Sequence, residues 1–126
     1  MLYAILIHGS EAAMAAADPD AEEDLLERET DLREDLQAQG RLGAVLHLMP
    51  DAAITVRHAG DLHPQVTTEP FAATREQLMG LYVVDCESAE EATHLAHRLA
   101  FDTGIFEIRP VTWYDPGVLP ARVPQV

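Results

Sequence analysis

Few residues in this chain can move a proton or grip a polar ligand, and they are spread along its length. His8 ends the apolar run LYAILIH, just before Gly9. An imidazole at a strand end, with a carboxylate in reach, suits acid–base work near pH 7. The competing reading is a half-exposed histidine with a backbone partner. Its candidate carboxylate partners are Glu69 and Glu76, both within TTEPFAATREQLMG (residues 67–80), and Glu29. Glu29 shares a helical face with Leu25, Leu32 and Leu36. A carboxylate on an apolar stripe either lies near the wet end of that stripe or points into a polar pocket. Arg57, Arg75 and Arg109 carry guanidinium forks that match a ligand carboxylate. They equally serve to neutralise some of the surrounding acids. The ligand-contact set is therefore Glu29, Arg57, Phe71, Arg75 and Glu76, beside the acid–base pair His8 and Glu69.

Metal chemistry is not expected. His94 and His97 are spaced i, i+3, and His58 and His63 flank a turn, but neither pair has a close third ligand in sequence. There is no HExxH motif, no cysteine pair and no glycine-rich phosphate loop. The single cysteine, Cys86, falls in an apolar run and reads as a buried, inert thiol. No cofactor is implied.

The elements that must position these groups follow from the pattern. Residues 2–8 form a first strand, and residues 11–17 a helical turn. Asp18-Pro19-Asp20 opens a helix, proline being tolerated in a first helical turn. Its buried stripe is Leu25, Leu32 and Leu36, with Leu26 beside it, and Gly40 stops it. Residues 42–49 form a second strand, in which His47 alternates with Val45 and Met49 and so lines the side away from the helices. ITVRH (54–58) forms a third strand and residues 63–67 a short hairpin arm. LYVVDC (81–86) is the next long strand. Ser88 then opens a second helix, with Glu91 completing a capping box and Ala92, Leu95, Ala96 and Leu99 buried. IFEIRPV (105–111) closes the sheet. One domain covers residues 1–114, and residues 115–126, with Pro116, Pro120 and Pro124, form an extended arm.

Two helices can cover one face of such a sheet. Yet Leu2, Ala4 and Leu6 alternate with Tyr3, Ile5 and Ile7, so the strands are apolar on both faces. A bare face of that kind would be an unusually large apolar patch. A second copy of the chain, sheet against sheet, resolves it, and a homodimer is expected. With 8 Lys plus Arg against 22 Asp plus Glu, a net charge of −14, direct nucleic-acid binding is excluded, because phosphate contacts need a basic surface. Residues 1–7 are apolar but lack a basic leader segment, and no stretch reaches membrane-spanning length. A cytoplasmic location without membrane contact is the expectation.

Several motifs carry a family resemblance. Val66-Thr67, Pro70-Phe71-Ala72, Thr74, Glu76-Gln77-Leu78, Gly80, Ser88-x-x-Glu91-Ala92 and Glu107-Ile108-Arg109-Pro110-Val111 keep an order and spacing similar to the YCII-related superfamily, in the branch named for its Asp-Gly-Pro-Phe motif. The first strand resembles that branch too, so the likeness runs over about residues 1–112. The resemblance implies a ferredoxin-like α+β fold, with an antiparallel sheet and two helices on one face, that dimerises into an α/β barrel. It also implies a small bacterial cytoplasmic protein with a polar pocket, whose gene often lies near those of extracytoplasmic-function sigma factors. The chain departs from the motif: Thr68-Glu69 stands where the branch has Asp-Gly, and Ala73 where it often has a carboxylate. Either Glu69 supplies the acidic role from a shifted position, or the site has lost it.

Two functions follow. One is a dimer that binds a small molecule or serves as an accessory factor near sigma-factor systems; the vacated acidic positions favour it. The other is a small-molecule enzyme that pairs His8 with a carboxylate. Phe71 is expected to anchor its loop in the core, because Pro70 fixes the backbone before it.

Overall fold

A computed structural model describes residues 1–61, 63–72 and 74–122. Ala73 and the end of the arm, including Pro124, fall outside the described residues. In chain order the elements are β1 (Leu2–Gly9), α1 (Glu11–Ala15), α2 (Pro19–Ala38), β2 (Leu42–His47), a 3-10 turn (Pro50–Ala52), β3 (Thr55–Arg57), β4 (Gln65–Thr67), β5 (Gln77–Asp85), α3 (Ala89–Arg98) and β6 (Ile105–Pro110). Strands β2, β5, β1 and β6 lie in that order in one antiparallel sheet. The arrangement fits a ferredoxin-like α+β fold.

Local chemistry sets the helix ends. Asp18 caps α2 by accepting from Asp20 N, and Pro19 occupies the first turn. The chain leaves α2 through Gly40 at φ +67°, where a side chain would be strained. Ser88 Oγ accepts from Glu91 N, one half of the expected capping box. The other half is displaced by one residue, since the Glu91 carboxylate accepts from Glu87 N.

The core lies between the helices and one sheet face. Tyr3, Ile5, Ile7, Tyr82 and Val84 meet Leu32, Leu36, Ala92, Leu95, Ala96 and Leu99 there, with Leu42, Val45, Phe106 and Ile108 packed at the margin. Leu32 and Leu36 are fully buried, as is Leu99; truncating either α2 leucine costs about 2–5 kcal/mol. Arg28 ties the helices together by donating to the Ala100 and Arg98 carbonyls at the end of α3. Leu25 is only half-buried and Leu26 is exposed, so the α2 stripe is narrower than its leucines suggest.

Three sequence expectations change. Residues 54–58 do not join the main sheet: β3 and β4 form a separate two-stranded ribbon in which Val56 faces Val66. Residues 77–80 are not loop, because β5 already begins at Gln77. His47 lies on the helix side of the sheet, contrary to its expected place. The β2–β5 register shifts between Leu42 and Val45, so Leu42 and Val45 both pack on the core, and His47 follows Val45. This bulge leaves Ala44 N–H off the ladder. It donates instead to Tyr114 Oη at 3.1 Å. Because β6 and β2 are opposite edges of the sheet, this bond ties the segment after β6 to the far edge strand.

Candidate functional site

At the end of β1 the chain enters α1 through Ser10, which is buried and accepts from Ala13 N. Opposite stand the 3-10 turn after β2 and the loop before β5. Together they enclose a cleft of about 510 Å³, lined among others by Ser10, Glu11, Asp51, Glu69, Arg75 and Gln77. Local hydrogen bonds shape the loop. Gln77 Nε2 donates to the Ala72 and Thr74 carbonyls, Thr74 Oγ1 to the Glu76 carbonyl, and Thr55 Oγ1 to the Glu69 carbonyl at 2.6 Å. Three carboxylates against one guanidinium give the cleft a negative lining. It suits a small polar ligand that presents donors or positive charge.

His8 does not line this cleft. On the helix-free sheet face its Nε2 lies 3.5 Å from Glu107 Oε1, and Arg109 Nη2 donates to Glu107 Oε2 at 2.8 Å. Cross-strand pairing sets this up, with Glu107 opposite Leu6 and Arg109 opposite Ala4. The Arg109 hydrogen bond, ahead of the smaller influence of His8, holds the Glu107 carboxyl below the usual glutamate range. The carboxylate beside His8 is therefore Glu107, not Glu69. Period-two alternation puts residues 107 and 109 of β6 on one face; only the β1–β6 register places them beside His8.

Glu29 and His47 form a third polar group. Glu29 points from α2 toward the sheet with its side chain 15% exposed, and His47 Nε2 lies 3.9 Å from Glu29 Oε1. Gly80, paired with His47, permits the approach: a Cβ there would lie 2.6 Å from the Leu46 carbonyl oxygen. Beneath them is the fully buried Tyr82, whose hydroxyl pKa is pushed up to about 12 by burial and then by the charge of Glu29. Tyr82 escaped notice in the sequence because an aromatic in an apolar strand reads as core.

The remaining candidates are not gathered at one place. Arg57 is exposed on β3, and Glu76 is half-exposed beside the cleft loop. Phe71 is 77% exposed, which corrects its expected role as a core anchor. The loop is held through backbone carbonyls and Gln77, so no ring is needed to fix it. His94 and His97 are exposed on α3 with ring centroids 6.5 Å apart. Among the described residues no three His, Cys, Asp or Glu side chains gather as a metal set, and no helix is long and apolar enough to cross a membrane.

With this fold and cleft in view, the comparisons with known proteins define the class. Residues 1–115 match the family described as YCII-related domain, and the chain belongs to that family. It is 37% identical over 125 residues to an uncharacterized protein of Rhizobium meliloti (strain 1021), an alignment covering 96% of this chain and all of that relative.

Proposed function

We propose that the chain is a cytoplasmic, homodimeric YCII-related protein that binds a small polar molecule in the strand-end cleft, with residues 1–114 as its single domain and the Pro-rich segment as an arm. The cleft itself carries this reading: it brings Glu69 and Arg75 together with Ser10, Glu11 and Asp51 and holds no histidine. Glu76 and Phe71 flank the same loop and are its accessory contacts. An accessory role near sigma-factor systems rests on the resemblance to the Asp-Gly-Pro-Phe branch. Mass spectrometry of small molecules released on denaturation tests the binding reading. A molecule carried by the wild type and lost from Arg75→Ala and Glu69→Gln is expected. A wild type that releases nothing, and whose melting point no polar or cationic compound raises, removes the reading.

The dimer is supported by the helix-free face. Leu46 and Ile105 are about half exposed there, flanking Leu2, Leu6 and Leu81. A second copy packed on this face would form the α/β barrel. Light scattering at micromolar concentration should give twice the chain mass, and a monomer would leave the face unexplained.

An enzymatic reading has one specific observation in its favour, the His8–Glu107 contact on the face that dimerisation would enclose. His8→Gln separates the two readings: it leaves ligand binding in the cleft intact, and it abolishes turnover only if a substrate is handled on the His8–Glu107 face.

A further inference from the structure

One polar group in the core has no partner. The Tyr82 hydroxyl is fully buried and makes no hydrogen bond among the described residues. With its pKa pushed up to about 12 it stays an O–H donor at neutral pH. Glu29 has the complementary need. It is a largely buried carboxylate whose one ion-pair partner among the described residues, His47, stands at 3.9 Å, beyond hydrogen-bonding range. Glu29 is near enough to act electrostatically on Tyr82, yet the two make no hydrogen bond. Folded proteins rarely leave a buried donor and a nearby buried acceptor both unmatched.

The hydrogen-bonding needs of the two groups at this seam narrow what can match them. Tyr82 offers a proton and the Glu29 carboxylate accepts one, so a group between them must both accept and donate. A neutral hydroxyl satisfies both sides: its oxygen accepts from Tyr82 and its proton is donated to Glu29. His47 is 60% exposed and sits where the seam opens to solvent between α2 and β2. None of the three residues lines the strand-end cleft.

We propose that Tyr82, Glu29 and His47 bound a second binding site, which takes a neutral hydroxyl group between the phenol and the carboxylate, with His47 at its mouth. Two sources share this chemistry, an ordered water and the hydroxyl of a small alcohol or polyol.

Tyr82→Phe is the discriminating change, because it keeps the ring and the core packing while removing only the hydroxyl. A hydroxyl without a partner is a cost, and its removal would leave the melting temperature unchanged or raise it. A bridged hydroxyl contributes, and its removal should lower the melting temperature by about 3–5 °C. Glu29→Gln should also lower it. The double variant should lose less than the two single losses added, since both act on one bridging group. A Tyr82→Phe protein melting at or above the wild type, or a strictly additive double variant, overturns the proposal. Mass spectrometry of the denatured wild type then assigns the source. A stoichiometric hydroxylated molecule that is absent from Tyr82→Phe identifies a ligand; non-additive losses with no such molecule identify water.

Discussion

Arg41 is the residue whose loss should most directly test how this fold is joined. It follows Gly40 at the exit of α2, and its backbone N donates to the Leu36 carbonyl. Its side chain then reaches two further elements, β5 and α3. Nε donates to the Asp85 carbonyl at 2.9 Å at the end of β5. Nη2 meets the Glu91 carboxylate in the first turn of α3 and lies 3.8 Å from Cys86 Sγ. Nη1 donates to Gln39 Oε1. Arg41→Met keeps most of the aliphatic stem and removes every one of these donors. The exposed Gln39 contact contributes little. The carbonyl bond is worth about 1 kcal/mol. The Glu91 pair is about two-thirds buried on both sides, so it should exceed an exposed pair and add roughly 1–2 kcal/mol. The expected total is about 2–3 kcal/mol, or a melting temperature lower by roughly 6–15 °C. Urea unfolding with a shared m-value provides the assay. Glu91→Gln keeps an acceptor while removing the charge, so it should lose only about half as much. A loss under about 0.5 kcal/mol in Arg41→Met would show that α3 docks through its apolar stripe alone and refute this account.

Three other outcomes follow from the same geometry. Phe71→Ala should change the stability of the isolated chain by no more than about 0.5 kcal/mol, because the ring is solvent-exposed; urea midpoints will show it. The Glu107 carboxyl should titrate below an ordinary glutamate in NMR, and the shift should shrink in Arg109→Gln. Since the folded-state pKa is lowered, the associated stability is present above the unfolded glutamate pKa and lost as pH falls through the folded value. Cys86, buried and with its thiol pKa raised chiefly by that burial, should resist a thiol reagent at pH 8 in the native protein and react at once in denaturant.

Much of the fold was legible where one local rule acts alone. Pro19 behind Asp18, Gly40 after α2, and the Ala92–Leu95–Ala96–Leu99 stripe each mark an element through its own neighbours. The sequence misleads where a distant strand decides. Perfect alternation through residues 42–49 sends His47 to the wrong face, because the bulge at residues 43–44 depends on pairing with β5. Residues 54–58 alternate as a sheet strand should, yet pair only with β4. The site follows the same logic. Glu29 is legible as a misfit on an apolar helical stripe, and it does turn inward. The partner of His8 is not, because Glu107 comes from β6 through register rather than from the nearby motif. Tyr82 carries no sequence signal at all; its hydroxyl matters only once the groups around it are known.

The β3–β4 ribbon has a consequence for how function can change here. It lies within the connection from β2 to β5, residues 48–76, and pairs only with itself. Halving such a connection alters its closure entropy by only about 0.6 kcal/mol, so the main sheet is nearly indifferent to the ribbon's length. The cleft is not. Asp51 stands at one foot of the ribbon and Glu69 at the other, and the Thr55 hydroxyl fastens the two feet together through the Glu69 carbonyl. Lengthening, trimming or restitching the ribbon would thus reset the spacing of the cleft walls while the core keeps its stability. On the proposed binding reading, ligand preference can drift without the fold having to be re-optimised.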